Sequence, residues 1–116
     1  MKKKLLTPNF SNKKEYIKFI KHALVKRAEL AGLNKIQLRF NSKINLKDRV
    51  EIGRDLRRIC SRKKISLFTK NDAPFAFYLN ADGVCCDKNY LKRLPGRVIR
   101  IIAKTLGKNR FRIETM

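Results

Sequence analysis

At 116 residues and 43% apolar side chains, the chain is long enough for one domain with a core of its own and too short for two. No run reaches the ~18–20 apolar residues of a membrane span, and one histidine with three cysteines, none in a CxxC pair, argues against a zinc site. Thirty Lys and Arg against nine Asp and Glu leave a net charge of +21, which favours phosphate-bearing partners or, more simply, gives the helices solvated cationic faces.

Lys4-Leu5-Leu6-Thr7 reads as a first strand, ended by Pro8-Asn9. Met1-Lys2-Lys3-Lys4 is basic, but Leu5-Leu6 is too short for the apolar part of a signal peptide. With an odd number of cysteines, this points to a reducing compartment: a cytoplasmic protein with no membrane partner. Asn12 with Glu15 forms a capping-box pattern. Ile17, Ile20, Leu24, Ala28 and Ala31 then mark one face of a helix over residues 13–31, closed at Gly32. His22 lies inside that helix and has no nucleophile to serve.

Residues 35–40 alternate. Ile36, Leu38 and Phe40 point one way, Gln37 and Arg39 the other, so this is strand two. A polar pair on one strand face marks either a phosphate- or amide-binding site or an open face. Asn45 and Asp48 form a second cap. Residues 48–62 follow as a helix whose apolar side is Val50, Gly53, Leu56, Ile59 and Cys60. Residues 65–69 are strand three, followed by the polar Lys70-Asn71-Asp72. Ala73 to Asn80 is a short helix with Pro74 in its first turn, and residues 81–85 are strand four. Asp87 caps a turn of helix through Leu91, and Leu94-Pro95-Gly96 breaks it. Val98 to Thr105 is rich in β-branched residues and reads as strand five. Residues 107–116, basic and carrying Phe111 and Ile113, follow a domain of residues 1–106 as a tail that reads either as a frayed strand or as a docking segment. Strands alternating with helices predict an α/β protein of βαβ units on a parallel sheet.

Four strand-end motifs stand in an order that resembles the thiamin phosphate synthase and TenI family. Leu5-Leu6-Thr7-Pro8 resembles its opening strand, and Ile36-Gln37-Leu38-Arg39 its Gln-Leu-Arg-x-Lys strand. Leu67 to Asp72 (Leu-Phe-Thr-Lys-Asn-Asp) resembles its third strand, and Ala81-Asp82-Gly83-Val84 its fourth. The likeness covers roughly residues 4–105, the N-terminal half of the family's (βα)8 barrel, which in full takes about 250 residues.

The resemblance implies a half TIM-type barrel with its site at the C-terminal strand ends. It implies that Gln37, Arg39 and Asn71 face a pyrimidine diphosphate and that Asp72 holds Mg2+. The family's synthases join that diphosphate to a thiazole phosphate. The types fit: Arg forks onto phosphate, and a carboxylate suits a hard cation. Departures from the pattern imply impaired catalysis. Asn41 stands where the family has Lys, with Lys43 as a loop substitute, and Tyr90 stands where it has a second metal-binding Asp, with Asp87 nearby. Lys104-Thr105 replaces a Ser-Thr pair, and the later phosphate loops are absent.

An open half barrel exposes edge strands, so a homodimer or another assembly is expected. Two other functions compete with binding of a phosphorylated thiamin precursor. One is a small basic nucleic-acid-binding protein, using Tyr78, Tyr90 and Phe111 for stacking where exposed, although Tyr78 and Phe111 are expected in the core. The other is a structural partner that completes another half barrel.

Overall fold

A computed structural model describes residues 3–21 and 33–116. Ten elements are described: β1 (Lys3–Phe10), α1 (Lys13–Phe19), β2 (Leu33–Phe40), α2 (Leu46–Lys63), β3 (Ser66–Lys70), α3 (Ala73–Leu79), β4 (Gly83–Cys86), α4 (Lys88–Arg93), α5 (Gly96–Thr105) and β5 (Arg112–Thr115). The five strands form one all-parallel sheet in the order β1-β2-β3-β4-β5. Among the described residues no helix is long and apolar enough to cross a membrane.

Each crossover moves one strand along in the same direction. Parallel crossovers are right-handed, so this order puts the connecting helices on one face. Leu5, Ile36, Leu38, Leu67, Val84 and Cys86 supply the sheet side of the core against Tyr16, Ile52, Leu56, Cys60, Ala76, Leu79, Ile99 and Ala103. Alternate strand positions look the other way. Gln37, Phe68, Gly83 and Arg112 are register partners in one cross-strand row on that second face. No helix is needed to bury Phe68: Lys35 Nζ lies 4.1 Å and the Arg112 guanidinium 4.9 Å from its ring centroid. The ring is fully buried.

The central helix α2 begins where the cap pattern puts it. The Asn45 side chain accepts from the Asp48 N–H at 2.7 Å, satisfying one of the free donors of the first turn. Ile52, Gly53, Leu56 and Cys60 are its buried stripe, while Val50 and Ile59 are half-buried at its margins. Lys64 ends it with φ 56°, in the left-handed region. The Tyr16 hydroxyl donates to Asp55 at 2.5 Å and ties α1 to α2. Burial first, and then that contact, raise the Tyr16 pKa; its hydrogen bond and Arg58 hold Asp55 below the usual carboxylate range against the opposing effect of burial.

Two expectations are corrected. Residues 98–105 are not strand five but most of α5, with Ile99 and Ala103 buried four residues apart on one helix face. Strand five is Arg112–Thr115, which pairs with β4 from Gly83↔Arg112 to Cys86↔Thr115, the strand alternative for residues 107–116. The first strand runs on through Pro8-Asn9 to Phe10 across an irregular register. Helix one is seen from Lys13, with Asn12 capping Glu15 as expected. The expected continuation to residue 31, with His22 in it and Gly32 closing it, falls on residues 22–32, which lie outside the described residues.

Candidate functional site

In parallel α/β sheets ligands gather at the carboxyl ends of the strands. A cleft of about 380 Å3 opens there between β2 and β3, lined among others by Asn41, Ser42, Arg49, Lys70, Asn71 and Asp72. Two of the four sequence-predicted site residues, Asn71 and Asp72, therefore come together.

Asn71 sits at φ 51°, a conformation asparagine tolerates better than most residues. Its N–H donates to the Cys85 carbonyl at 2.8 Å. Its amide donates to Asp87 Oδ2 at 2.8 Å and accepts from the Asp87 N–H at 2.9 Å. Asn71 thus locks the end of β3 to the end of β4. Hydrogen bonds from the Tyr90 N–H and from Asn71 hold the Asp87 carboxyl below its ordinary pKa.

Asp72 caps α3, accepting from the Phe75 N–H at 3.1 Å, and pairs with Arg49. Arg49 lies 4.3 Å from the Phe75 ring centroid, and burial lowers its pKa. Sequence reasoning passed over Arg49. It stands in the first turn of α2, and only the packing of α2 beside β2 and β3 brings it to the cleft, so no local signal marks it.

Gln37 and Arg39 do not line this cleft. Arg39 staples β2 to β1: its Nε donates to the Thr7 carbonyl at 2.6 Å and its N–H to Thr7 Oγ1 at 2.8 Å. Gln37 is 2% exposed on the second sheet face. Its amide nitrogen reaches Met116 Sδ at 3.8 Å, and its Oε1 has no partner. A buried acceptor left unpaired costs ~1–3 kcal/mol. Gln37→Met, similar in length and lacking that acceptor, is expected to raise stability by about 1 kcal/mol in urea unfolding; a loss of stability would mean that Oε1 is satisfied in solution.

The carboxylates that the resemblance turns toward Mg2+ are partnered within the protein. Both Asp72 oxygens are engaged, one by Phe75 and one by Arg49. Both Asp87 oxygens are engaged, one by Asn71 and one by Tyr90. Among the described residues no three His, Cys, Asp or Glu side chains converge. Tyr90, standing where the resemblance has a metal-binding Asp, instead accepts from the Ala73 N–H at 2.8 Å. Cys60, Cys85 and Cys86 are all buried, and burial pushes the Cys60 thiol up to about 12 and Cys86 to about 11.

Of the aromatics, Phe111 is buried as expected, but Tyr78 is 59% exposed and stacks on Phe75 rather than entering the core. The cleft gathers the Arg49 guanidinium, the Lys70 ammonium and the Asn71 amide, with the Asp72 carboxylate paired to Arg49. Comparison with family models, with curated proteins and with solved structures returns no match for this chain.

Proposed function

We propose that the chain is the N-terminal half of a (βα)8 barrel of the thiamin phosphate synthase/TenI type, which binds a phosphorylated thiamin precursor without turning it over. The observation that carries this reading is the cleft at the carboxyl ends of sequentially ordered parallel strands, with Asn71 and Asp72 of the resembling motif in its wall beside Arg49 and Lys70. In it Arg49 and Lys70 neutralise a phosphate and Asn71 orients it. Arg49 leaves Asp72 for the ligand, which replaces one charge-assisted contact by another. Gln37 and Arg39, given to the pyrimidine diphosphate by the resemblance, serve here as supports of the sheet beneath.

Titration calorimetry with thiazole phosphate and pyrimidine phosphates tests it. Arg49→Gln is expected to weaken binding about 10–100-fold, the equivalent of one hydrogen bond to a charged group at ~1.5–3 kcal/mol. Binding that survives 0.5 M salt supports the reading, because nonspecific attraction to a +21 chain is screened. No binding of any precursor phosphate would defeat it.

A second reading, nucleic-acid binding, is favoured by the charge balance. Among the described residues Lys13, Lys35, Arg49, Arg57 and Arg58 pair with carboxylates, and the whole chain carries thirty Lys and Arg against nine Asp and Glu. Its mark is affinity for RNA or DNA that falls linearly on a log–log plot against salt. The outer edges of β1 and β5 have no described strand beside them, and a second copy or another half barrel is the proposed cover for such edges and for the exposed Ile101, Ile102 and Leu106.

A further inference from the structure

The opposite end of the strands holds a second concentration of charge. Lys4, Lys35 and Ser66 stand near the starts of β1, β2 and β3, and Arg112 opens β5; with Asn34 and Glu114 they line a cavity of about 230 Å3. It lies on the sheet face away from the core helices. Three cations meet there with a single carboxylate. Glu114 pairs with Lys35, and Arg112 Nη2 donates to Ser66 Oγ at 2.7 Å. Lys35 and Arg112 also share the Phe68 ring, at 4.1 and 4.9 Å.

This arrangement is unbalanced. The Lys35 side chain is 14% exposed, so water screens it poorly. Burial lowers its pKa; Cys85 opposes that, while Lys4 and Arg112 add to it. Two cations on one ring, with one counter-charge between three, are a geometry that a second anion relieves. A water takes roughly 30 Å3 of liquid volume, so the cavity has room for one tetrahedral oxyanion and a few waters. It falls below the ~300 Å3 at which pockets enclose drug-sized ligands.

We propose that this cavity binds a phosphate group, either inorganic phosphate or the terminal phosphate of a monoester whose remainder lies outside. Lys35, Arg112 and Lys4 supply the charge, and Ser66 and Asn34 supply oriented hydrogen bonds. Glu114 holds Lys35, and Ser66 holds Arg112, when the anion is absent. The site is separate from the C-terminal cleft and stands or falls independently of the thiamin-precursor reading.

The test is thermal unfolding of the full chain in inorganic phosphate and in glycerol phosphate, each against chloride at matched ionic strength. A ligand of the folded state raises the melting temperature saturably. Lys35→Gln and Arg112→Gln are expected to weaken the apparent phosphate affinity at least tenfold, and Ser66→Ala about three- to tenfold. Ser66→Ala removes only a hydroxyl and carries the test if a charge variant does not fold. Lys92→Gln, on exposed α4 at the far end of the strands, is expected to change nothing. Glycerol phosphate binding as tightly as inorganic phosphate identifies the monoester as the source. Inorganic phosphate alone binding identifies the free ion. An equal loss in Lys92→Gln, or no saturation, would reduce the effect to diffuse attraction and overturn the inference. Sensitivity to Arg49→Gln with none to Lys35→Gln would also overturn it, by moving the anion to the C-terminal cleft.

Discussion

Gly83→Ala is expected to cost about 3 kcal/mol in urea unfolding, although it adds one methyl group. A Cβ at Gly83 falls 2.3 Å from the Arg112 carbonyl oxygen and 2.5 Å from Phe68 Cε2. The first neighbour is backbone. Arg112 is the register partner of Gly83, and its N–H donates to the Asp82 carbonyl at 3.0 Å, so moving its oxygen means moving β5. The second neighbour is a ring that Lys35 and Arg112 cover. Overpacking a well-filled site costs ~1–3 kcal/mol, and more where the backbone must shift. The requirement here is space, because Gly83 has no positive φ. Phe68→Leu in the same background should recover part of the loss by giving back the ring's volume. A change under 1 kcal/mol for Gly83→Ala alone would mean that β5 is not fixed against β4.

Local signals placed the elements whose burial is set by their own sequence. The Asn45 cap and the Ile52–Cys60 stripe define α2, and Pro74 in the first turn defines α3. The alternation of residues 35–40 also survived, and the sheet explains why Gln37 and Arg39 share a face: it is the face away from the described core helices. What failed depends on tertiary context. Val98 to Thr105 is rich in β-branched residues, which are only mildly unfavourable in helices. Ile99 and Ala103 bind that helix to the core, and the strand position beside β4 goes instead to Arg112–Thr115. Ile113 is the only apolar residue of that strand, so the local signal is weak and leaves a frayed strand and a docking segment as equal readings.

The candidate site was legible in the same measure. Asn71 and Asp72 are polar residues at a strand end, a position that reads directly from sequence. Arg49 is far from them in the chain and becomes their neighbour only when α2 packs. The two phosphate-sized cavities differ likewise. The cleft at the carboxyl strand ends follows from the general habit of parallel sheets. The cavity around Lys35 needs Arg112, which is 77 positions away, and the fold of β5 beside β4 to exist.

Asp82→Ala is expected to cost about 3 kcal/mol, for a reason no strand pattern reveals. In the Ala81-Asp82-Gly83-Val84 segment, the Asp82 carboxylate points back toward β3 and α2. Its Oδ2 accepts from the Leu67 N–H at 2.8 Å and from Arg57 Nη1 at 2.8 Å. Its own N–H donates to the Leu67 carbonyl at 2.8 Å. One residue thus joins the start of β3, the approach to β4 and the helix between β2 and β3. Truncation leaves the N–H of fully buried Leu67 without its acceptor, a loss of ~1–3 kcal/mol. It also removes a charge-assisted contact from Arg57, whose side chain is 21% exposed. That pair is partly screened, so it contributes nearer the ~1 kcal/mol upper end of exposed pairs than a buried one. Arg57→Ala should therefore cost less than Asp82→Ala, because the Leu67 N–H keeps its partner. A double-mutant cycle separates the two terms, and the coupling should be about 1 kcal/mol. If the coupling instead accounts for the whole cost of Asp82→Ala, the backbone contact to Leu67 contributes nothing, and the join between β3 and β4 rests on the ion pair alone.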